Sequence, residues 1–584
     1  MQLSSADWII IGIILLAVLL IGIWSSRSSG KSAEEYFLSG RNMPWWLLGI
    51  SMVATTFSAD TPNFVADVVR QNGVAGNWVW WAFLLTGMLT VFVYAKLWRK
   101  SGISTDLEFY ELRYSGAAAR FLRGFRAVYL GIIFNVFVMA AVMLAAIKIG
   151  GVILGWPPLQ TIGIACTITL VFSLLGGFKG VVYTDGLLFV ISMAGALIAA
   201  YYAVSHPQIG SLSNLFSAEA VQAKMAFIPD LSNKSLLIEI FIIPLAVQWW
   251  GSWYPGAEPG GGGYVAQRML AAKDENHAIG ATFLFNVAHY GLRPWPWIIV
   301  ALCSIIIYPD LQSINAAFPN IVPDKIGHDL AYPAMLTFIP HGLFGLVIAS
   351  LLAAFMSTIS THLNWGSSYV VFDMYKRFIS PKASEKELVN IGRLSVALLL
   401  VLSTIFALYL TNAKQIFDII IYFGAGTGLL FILRWFWWRI NAWSEISAML
   451  FSGIIAMLAN NTEVFDFTGS WKLPFCVLLT TLIWVVVTYM TRPTESVKLQ
   501  SFVEKCNPGG PGWKNFHSLK EAKWIVPEGL KFMILSCVMV YSLLFATGYF
   551  LYGELLYGGV MSTICLLTAL YLFNNRNKFQ FLTS

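Results

Sequence analysis

Between Ala349 and Tyr375 the chain reads ASLLAAFMSTISTHLNWGSSYVVFDMY, an apolar run with small hydroxyl residues where a lipid-facing helix would carry Leu or Phe. Ser357, Ser360, Thr361 and Asn364 fall at i, i+3, i+4 and i+7, which puts them on one face of a helix. Ala354 and Thr358 lie one turn apart on a neighbouring face. Hydroxyl and carbonyl oxygens are what a hard cation such as sodium accepts in exchange for water. The same face also suits packing against a second helix, since small polar residues hold membrane helices together.

Two other stretches carry residues out of place in lipid. One, MVATTFSADTPNF, interrupts an apolar run with Asp60, Thr61, Pro62 and Asn63, and Asp67 follows. The other is broken by Pro244, Pro255, Pro259 and the run Gly260–Gly263. Broken backbone at membrane depth is tolerated only where it is buried in protein or lines a cavity. Two broken helices five spans apart, oppositely oriented, point to an inverted-repeat transporter with its site at the breaks. Against this, Pro and Gly are in any case commoner in membrane helices.

The elements that must position these residues are membrane spans. Of 584 residues 57% are hydrophobic and only 11% charged, and the mean hydropathy is +0.69. A soluble chain carries about a quarter charged residues. Recurring apolar runs of spanning length predict an all-α polytopic membrane protein, and exclude the short alternating strands of a barrel. About fifteen spans are expected, the second at Trp45–Arg70, the fifth and sixth at Leu159–Leu175 and Val181–Val204, the seventh from Leu236, and the ninth on the hydroxyl helix. Basic loops follow the odd-numbered spans, among them one with Arg113, Arg123 and Arg126 and one with Arg268 and Lys273. The positive-inside rule then places the N-terminus outside and the C-terminus in the cytoplasm. The net charge of +7 sits in these short loops and is no nucleic-acid signal. The six cysteines form no CxxC pair, so neither a disulfide framework nor a zinc site is expected.

Four stretches in order, YFLSGRNMPWWLLGISMVATTFSA, SLLGGFKGVVYTD, YVAQRMLAAKDENHA and AYPAMLTFIPHGLFGLVIASLLAAFMSTIST, carry a resemblance. They resemble the solute:sodium symporter family, which includes sodium–sugar, sodium–proline and sodium–sialic acid cotransporters, over roughly Asp7 to Met490. The resemblance implies a LeuT-type fold of two inverted five-helix repeats, with one extra N-terminal and about four extra C-terminal helices. It divides the chain at 1–44 (extra span and loop), 45–204 (first repeat), 205–235 (extracytoplasmic loop), 236–440 (second repeat) and 441–584 (additional spans, with a cytoplasmic loop at 491–527). It implies a main sodium site from the carbonyls of Ala54, Phe57 and Ala354 and the hydroxyls of Ser357 and Thr358. It implies a second from Asp185, Ser357, Ser360 and Thr361, hence two sodium ions per cycle, although Asp185 also fits a helix cap.

The solute is expected at the midplane, at Asp60, Thr61, Asn63, Trp80, Gln248, Trp249, Trp253, Tyr254, Glu258 and Arg293. An arginine within a span is a functional residue by default, and Arg293 is expected to meet Asp60, Glu258 or a substrate carboxylate. Some of the aromatics also fit interfacial belts. A sugar-like solute is favoured from the aromatics; the alternative is a sugar acid, organic acid or amino acid. A non-transporting solute sensor is the competing class, and it lacks a soluble signalling domain here. A channel lacks its charge rings and an enzyme its HExxH-like constellation. The expected partners are the solute, sodium and the lipid bilayer of the plasma (inner) membrane; neither nucleic acid nor an obligate protein partner is expected.

Overall fold

The computed structural model describes residues 3–56, 58–251, 258–319, 321, 325–410, 421, 424, 426–461, 471–516 and 524–579. Among these no strand forms; one isolated bridge pairs Met43 with Ala272. Among the described residues eleven helices are long and apolar enough to cross a membrane. The difference from fifteen has physical causes. Spans two and seven are too short in each half, spans five and six run on as one element, and span eleven falls largely outside the described residues.

The first helix, α1 (Ser5–Ser29), leads into the first broken span, α2 (Trp45–Thr56) and α3 (Asp60–Asn72). Pro62 sits in the first turn of α3, where a missing N–H costs little, and Asp60 faces the positive helix end. Next come α4 (Val74–Ser101), α5 (Gly116–Leu154) and α6 (Pro158–Val204). Helix α6 is two helices meeting at Gly177, whose φ of 55° and ψ of −163° suit only glycine. The seventh span reaches Trp250 in short pieces and resumes as α7 (Gly263–Ala271). In α8 (Glu275–Ile307) a π turn over Val287–Leu292 precedes Pro294. Proline cannot continue the regular ladder, and the widened turn instead sends the Arg293 N–H to Ala288 O at 3.3 Å.

Helix α9 (Leu343–Ile379) carries the hydroxyl face. It packs on α6, α1 and α2 and is wrapped by α10 (Glu385–Tyr409). Its orphan N-terminal donors are satisfied from another helix: the buried Asp7 carboxylate of α1 accepts Gly342 N and Gly345 N, both at 2.6 Å. The chain ends with α11 (Ala442–Asn461), α12 (Lys472–Met490), α13 (Ser496–Cys506), α14 (Val526–Leu551) and α15 (Leu555–Asn574). Burial grades outward: 83% of the apolar window of α4 is buried, against 6% for α15, whose Leu555, Leu556 and Leu566 face outward as a lipid surface requires.

The basic loops depart from expectation. Arg113, Arg123, Arg126 and Arg268, read as loop charges, are all buried and partnered.

Candidate functional site

Asp185 lies two turns beyond the Gly177 junction, on the second half of α6, and is 1% exposed. A buried carboxylate needs donors or a counter-ion. It has both. Ser51 Oγ on α2 donates at 2.5 Å and Ser357 Oγ on α9 at 2.6 Å. The Arg268 guanidinium of α7 stands 3.6 Å away. Arg268, fully buried, also donates to Ser51 Oγ, Thr55 Oγ1 and Thr361 Oγ1 at 3.1, 3.3 and 2.8 Å. Thr55 Oγ1 and Thr361 Oγ1 are 3.0 Å apart. Four helices thus converge on one charged, hydroxyl-lined point. Ser360 turns its hydroxyl back to Ser357 O at 3.2 Å. Asp185 acts here as a hub between helices; it caps none.

One helical turn from this point the α2 break begins. Helix α2 ends at Thr56, so its last carbonyls lose their intrahelical donors. Side chains replace them. Thr358 Oγ1 donates to Thr55 O at 2.8 Å, which joins α9 to α2 beside Ala54 and Ala354, both buried. Arg293 donates to Val53 O at 2.8 Å and to Thr56 O and Thr56 Oγ1 at 3.0 Å. Of the carbonyls from Val53 to Thr56, that of Ala54 is the one to which no side chain donates among the described residues. Phe57, the other expected carbonyl, lies outside the described residues.

The expected pairing of Arg293 with Asp60 or Glu258 is not what forms. Its guanidinium goes to the end of α2, stacks 5.0 Å over Trp297 and meets His289 Nδ1 at 3.0 Å. Glu258 is instead buried in ion pairs with Arg126 and, at 3.5 Å, with Arg434. Arg434 also reaches Glu445 at 3.5 Å. A carboxylate held by two arginines already has its counter-charge, so Glu258 belongs to a separate charge cluster.

Of the other expected solute residues, Asp60, Thr61 and Asn63 lie at the break, and Trp80 is tied to it through His289. Asn63 is 3% exposed, and both its amide atoms are buried without a hydrogen-bond partner among the described residues; Asp60 Oδ1 and Ser58 Oγ share that state. Thr61 Oγ1 reaches Thr56 O at 3.3 Å. Trp80 stacks on Tyr290 and meets His289 edge-on, with ring centroids 5.9 and 5.7 Å apart. His289 Nδ1 touches Thr56 Oγ1 at 3.2 Å, which links Trp80 to the α2 end. Gln248 Nε2 donates to Val79 O at 2.7 Å, and Trp249 O accepts from Thr86 Oγ1. Trp253 and Tyr254 lie outside the described residues. Asn364, on the hydroxyl face, takes Gln267 Nε2 at 2.9 Å.

Sequence reading missed Ser51, Thr55, Arg268 and Ser58. The signal was present for the first three: Ser51 and Thr55 are i and i+4 on α2, one helical face, and Arg268 stands between Met269 and an apolar helix start. It went unread because a basic residue near a loop also satisfies the positive-inside rule.

Residues 36–452 match the profile of the Sodium:solute symporter family. A sodium/glucose cotransporter of Vibrio parahaemolyticus is 28% identical over 462 residues, 74% of this chain and 81% of that protein. A sodium/mannose cotransporter of Bos taurus is 28% identical over 474 residues, 75% of this chain and 76% of that protein. Among solved structures, a substrate-bound, outward-open Na+-coupled sialic acid symporter, described as revealing a novel Na+ site, covers 85% of this chain and 100% of its own. Its TM-score is 0.65 at 18% identity. The fold is of the LeuT type.

Proposed function

Because the chain belongs to the Sodium:solute symporter family, we propose that it imports a small sugar-like solute into the cell with two sodium ions per cycle, by alternating access across the inner membrane. The observation that carries the reading is the convergence of α2, α6, α7 and α9 on Asp185, Ser357, Thr361 and Arg268, beside the Thr358–Thr55 contact. The first ion takes the carbonyls of Ala54, Phe57 and Ala354 with the hydroxyls of Ser357 and Thr358. The second takes Asp185 with Ser357, Ser360 and Thr361. Both sites draw ligands from separate helices, so an ion binds well only while those helices are docked, and binding shifts the population toward that arrangement.

The solute sits at the break, where Asn63, Ser58 and Asp60 offer unmatched polar atoms and Trp80 a flat apolar face. A ring of hydroxyls with an apolar side supplies the complement to both. Residues 45–204 and 236–440 serve as the two repeats that rock against each other, with the N-terminus outside. Each charge moved across 100 mV contributes roughly 2.3 kcal/mol, so two ions support about a 2,000-fold solute gradient against about 50-fold for one.

The test is uptake into proteoliposomes under an imposed sodium gradient, across a panel of neutral sugars, sugar acids and amino acids, with Ser357→Ala as control. Accumulation of a neutral sugar that collapses with the sodium gradient and is lost in the variant supports the reading. Accumulation of a sugar acid or amino acid instead turns the assignment to a carboxylated solute. Binding of a solute without any accumulation would make the protein a sensor.

A further inference from the structure

The second ion site already holds a cation, and the cation belongs to the chain. The Arg268 Nη2 lies 2.8 Å from Thr361 Oγ1, 3.1 Å from Ser51 Oγ, 3.3 Å from Thr55 Oγ1 and 3.6 Å from Asp185 Oδ2. Two of these four, Asp185 and Thr361, are oxygens that the second sodium needs. The site has one carboxylate, and a guanidinium and a sodium ion within a few ångströms of it repel each other in a dry interior. Both do not fit against Asp185 together. We propose that Arg268 is a tethered cation that occupies the second ion site in place of sodium and leaves Asp185 when the ion binds. This rests on the sodium-symport reading above.

The structure supplies the guanidinium with somewhere to go. Its other terminal nitrogen, Nη1, is already 3.4 Å from Tyr264 O and 3.5 Å from Gln267 Oε1. The rings of Phe178 and Tyr264 lie 5.4 and 5.6 Å from its central carbon, and their faces attract a cation. A rotation of the side chain about its own stem trades Asp185 for these acceptors while the charge stays buried and satisfied. The backbone of α7 is held in place meanwhile. Gly263 N donates to Asp106 Oδ2 at 2.9 Å at one end. At the other, Met43 N donates to Ala271 O at 3.2 Å and Arg99 Nε to Ala272 O at 2.6 Å. Gln267 bonds Asn364 of α9 at 2.9 Å between them. So the exchange is a side-chain event on a fixed helix.

The consequence is that the second site is never an uncompensated carboxylate. With sodium absent, Arg268 bridges α7 to α2, α6 and α9. With sodium bound, the ion makes the α6–α9 link and the bridge to α7 is released. The second ion then does more than bind: it removes the Arg268 tie from α7 to α2 and α6, while the anchors of the α7 backbone stay.

Equilibrium binding of radioactive sodium to the purified full-length protein, in the absence of solute, tests this. The wild type is expected to bind in two steps, the second weak because sodium must displace the guanidinium. In Arg268→Gln the second step moves to sodium concentrations lower by about tenfold or more, with the count of two unchanged. Arg268→Lys keeps a cation within reach of Asp185 and holds the second step close to wild type. Ser51→Ala removes an anchor of the guanidinium outside the proposed sodium ligands, and shifts the second step the same way by roughly threefold. Should Arg268→Gln fail to fold, Ser51→Ala and Arg268→Lys carry the test. An unmoved second step in Arg268→Gln or in Ser51→Ala overturns the proposal. So does a wild type that binds one ion and gains a second only in Arg268→Gln, since the guanidinium would then be a permanent substitute. Absence of any sodium binding would instead sink the symport reading itself.

Discussion

Arg268 and Arg293 are both completely buried and both lean on α2, yet their charges are answered differently. Arg268 faces a carboxylate and three hydroxyls, groups that an inorganic cation uses equally well. Arg293 faces two backbone carbonyls at the negative end of a half-helix, where the planar fork spans Val53 O and Thr56 O. The first arrangement is exchangeable because its ligands suit a sphere. The second is fixed, because only a rigid, two-pronged donor meets both carbonyls. One arginine behaves as an occupant of a site, the other as part of its wall.

The strongest way to break this comparison is to remove the carboxylate. Asp185→Asn leaves the Arg268 guanidinium buried without its counter-charge, at a cost of about 3–5 kcal/mol. Thermal unfolding in detergent should show a large loss of stability. The double variant Asp185→Asn/Arg268→Gln should recover most of it, since an uncharged pair of similar shape is cheap to bury. If the single variant melts like the wild type, the two charges are not coupled.

The contrast also explains what was legible beforehand. The helix breaks were readable because Pro62, Pro259 and the Gly260–Gly263 run have local backbone consequences. The hydroxyl face of α9 was readable because 3.6-residue periodicity alone puts Ser357, Ser360 and Thr361 together. The partners of charged residues were not. Whether Glu258 meets a solute or Arg126, and whether Arg268 ends in a loop or on Asp185, depends on helices far apart in sequence. Local pattern does not encode those distances. The lengths of α2 and α3 were equally hidden in one run of apolar residues, since the break costs nothing visible until Arg293 and Thr358 are seen to satisfy its carbonyls.

Arg293→Lys sharpens the comparison with a smaller effect. Lysine keeps the charge but offers a point donor, and one of the carbonyls at Val53 and Thr56 loses its partner. A buried acceptor left unsatisfied costs about 1–3 kcal/mol. The melting temperature should therefore fall and uptake with it, while Arg268→Lys, at the exchangeable site, stays close to wild type in both. Equal sensitivity of the two positions to lysine would erase the distinction between occupant and wall.

The smallest effect should appear at Asn63, on the solute side of the same break. Its amide has no hydrogen-bond partner among the described residues, so Asn63→Ala removes none of the bonds seen there and should barely alter stability. What it removes is a donor and acceptor pair facing the solute, worth about 1.4 kcal/mol if one good hydrogen bond is lost, or roughly a tenfold rise in KM for uptake. Sodium binding measured without solute should not change, because among the described residues Asn63 makes no hydrogen bond to either arginine or to a proposed ion ligand. A shift in that sodium titration would place Asn63 on the ion side of the break and merge two regions that the arginines separate.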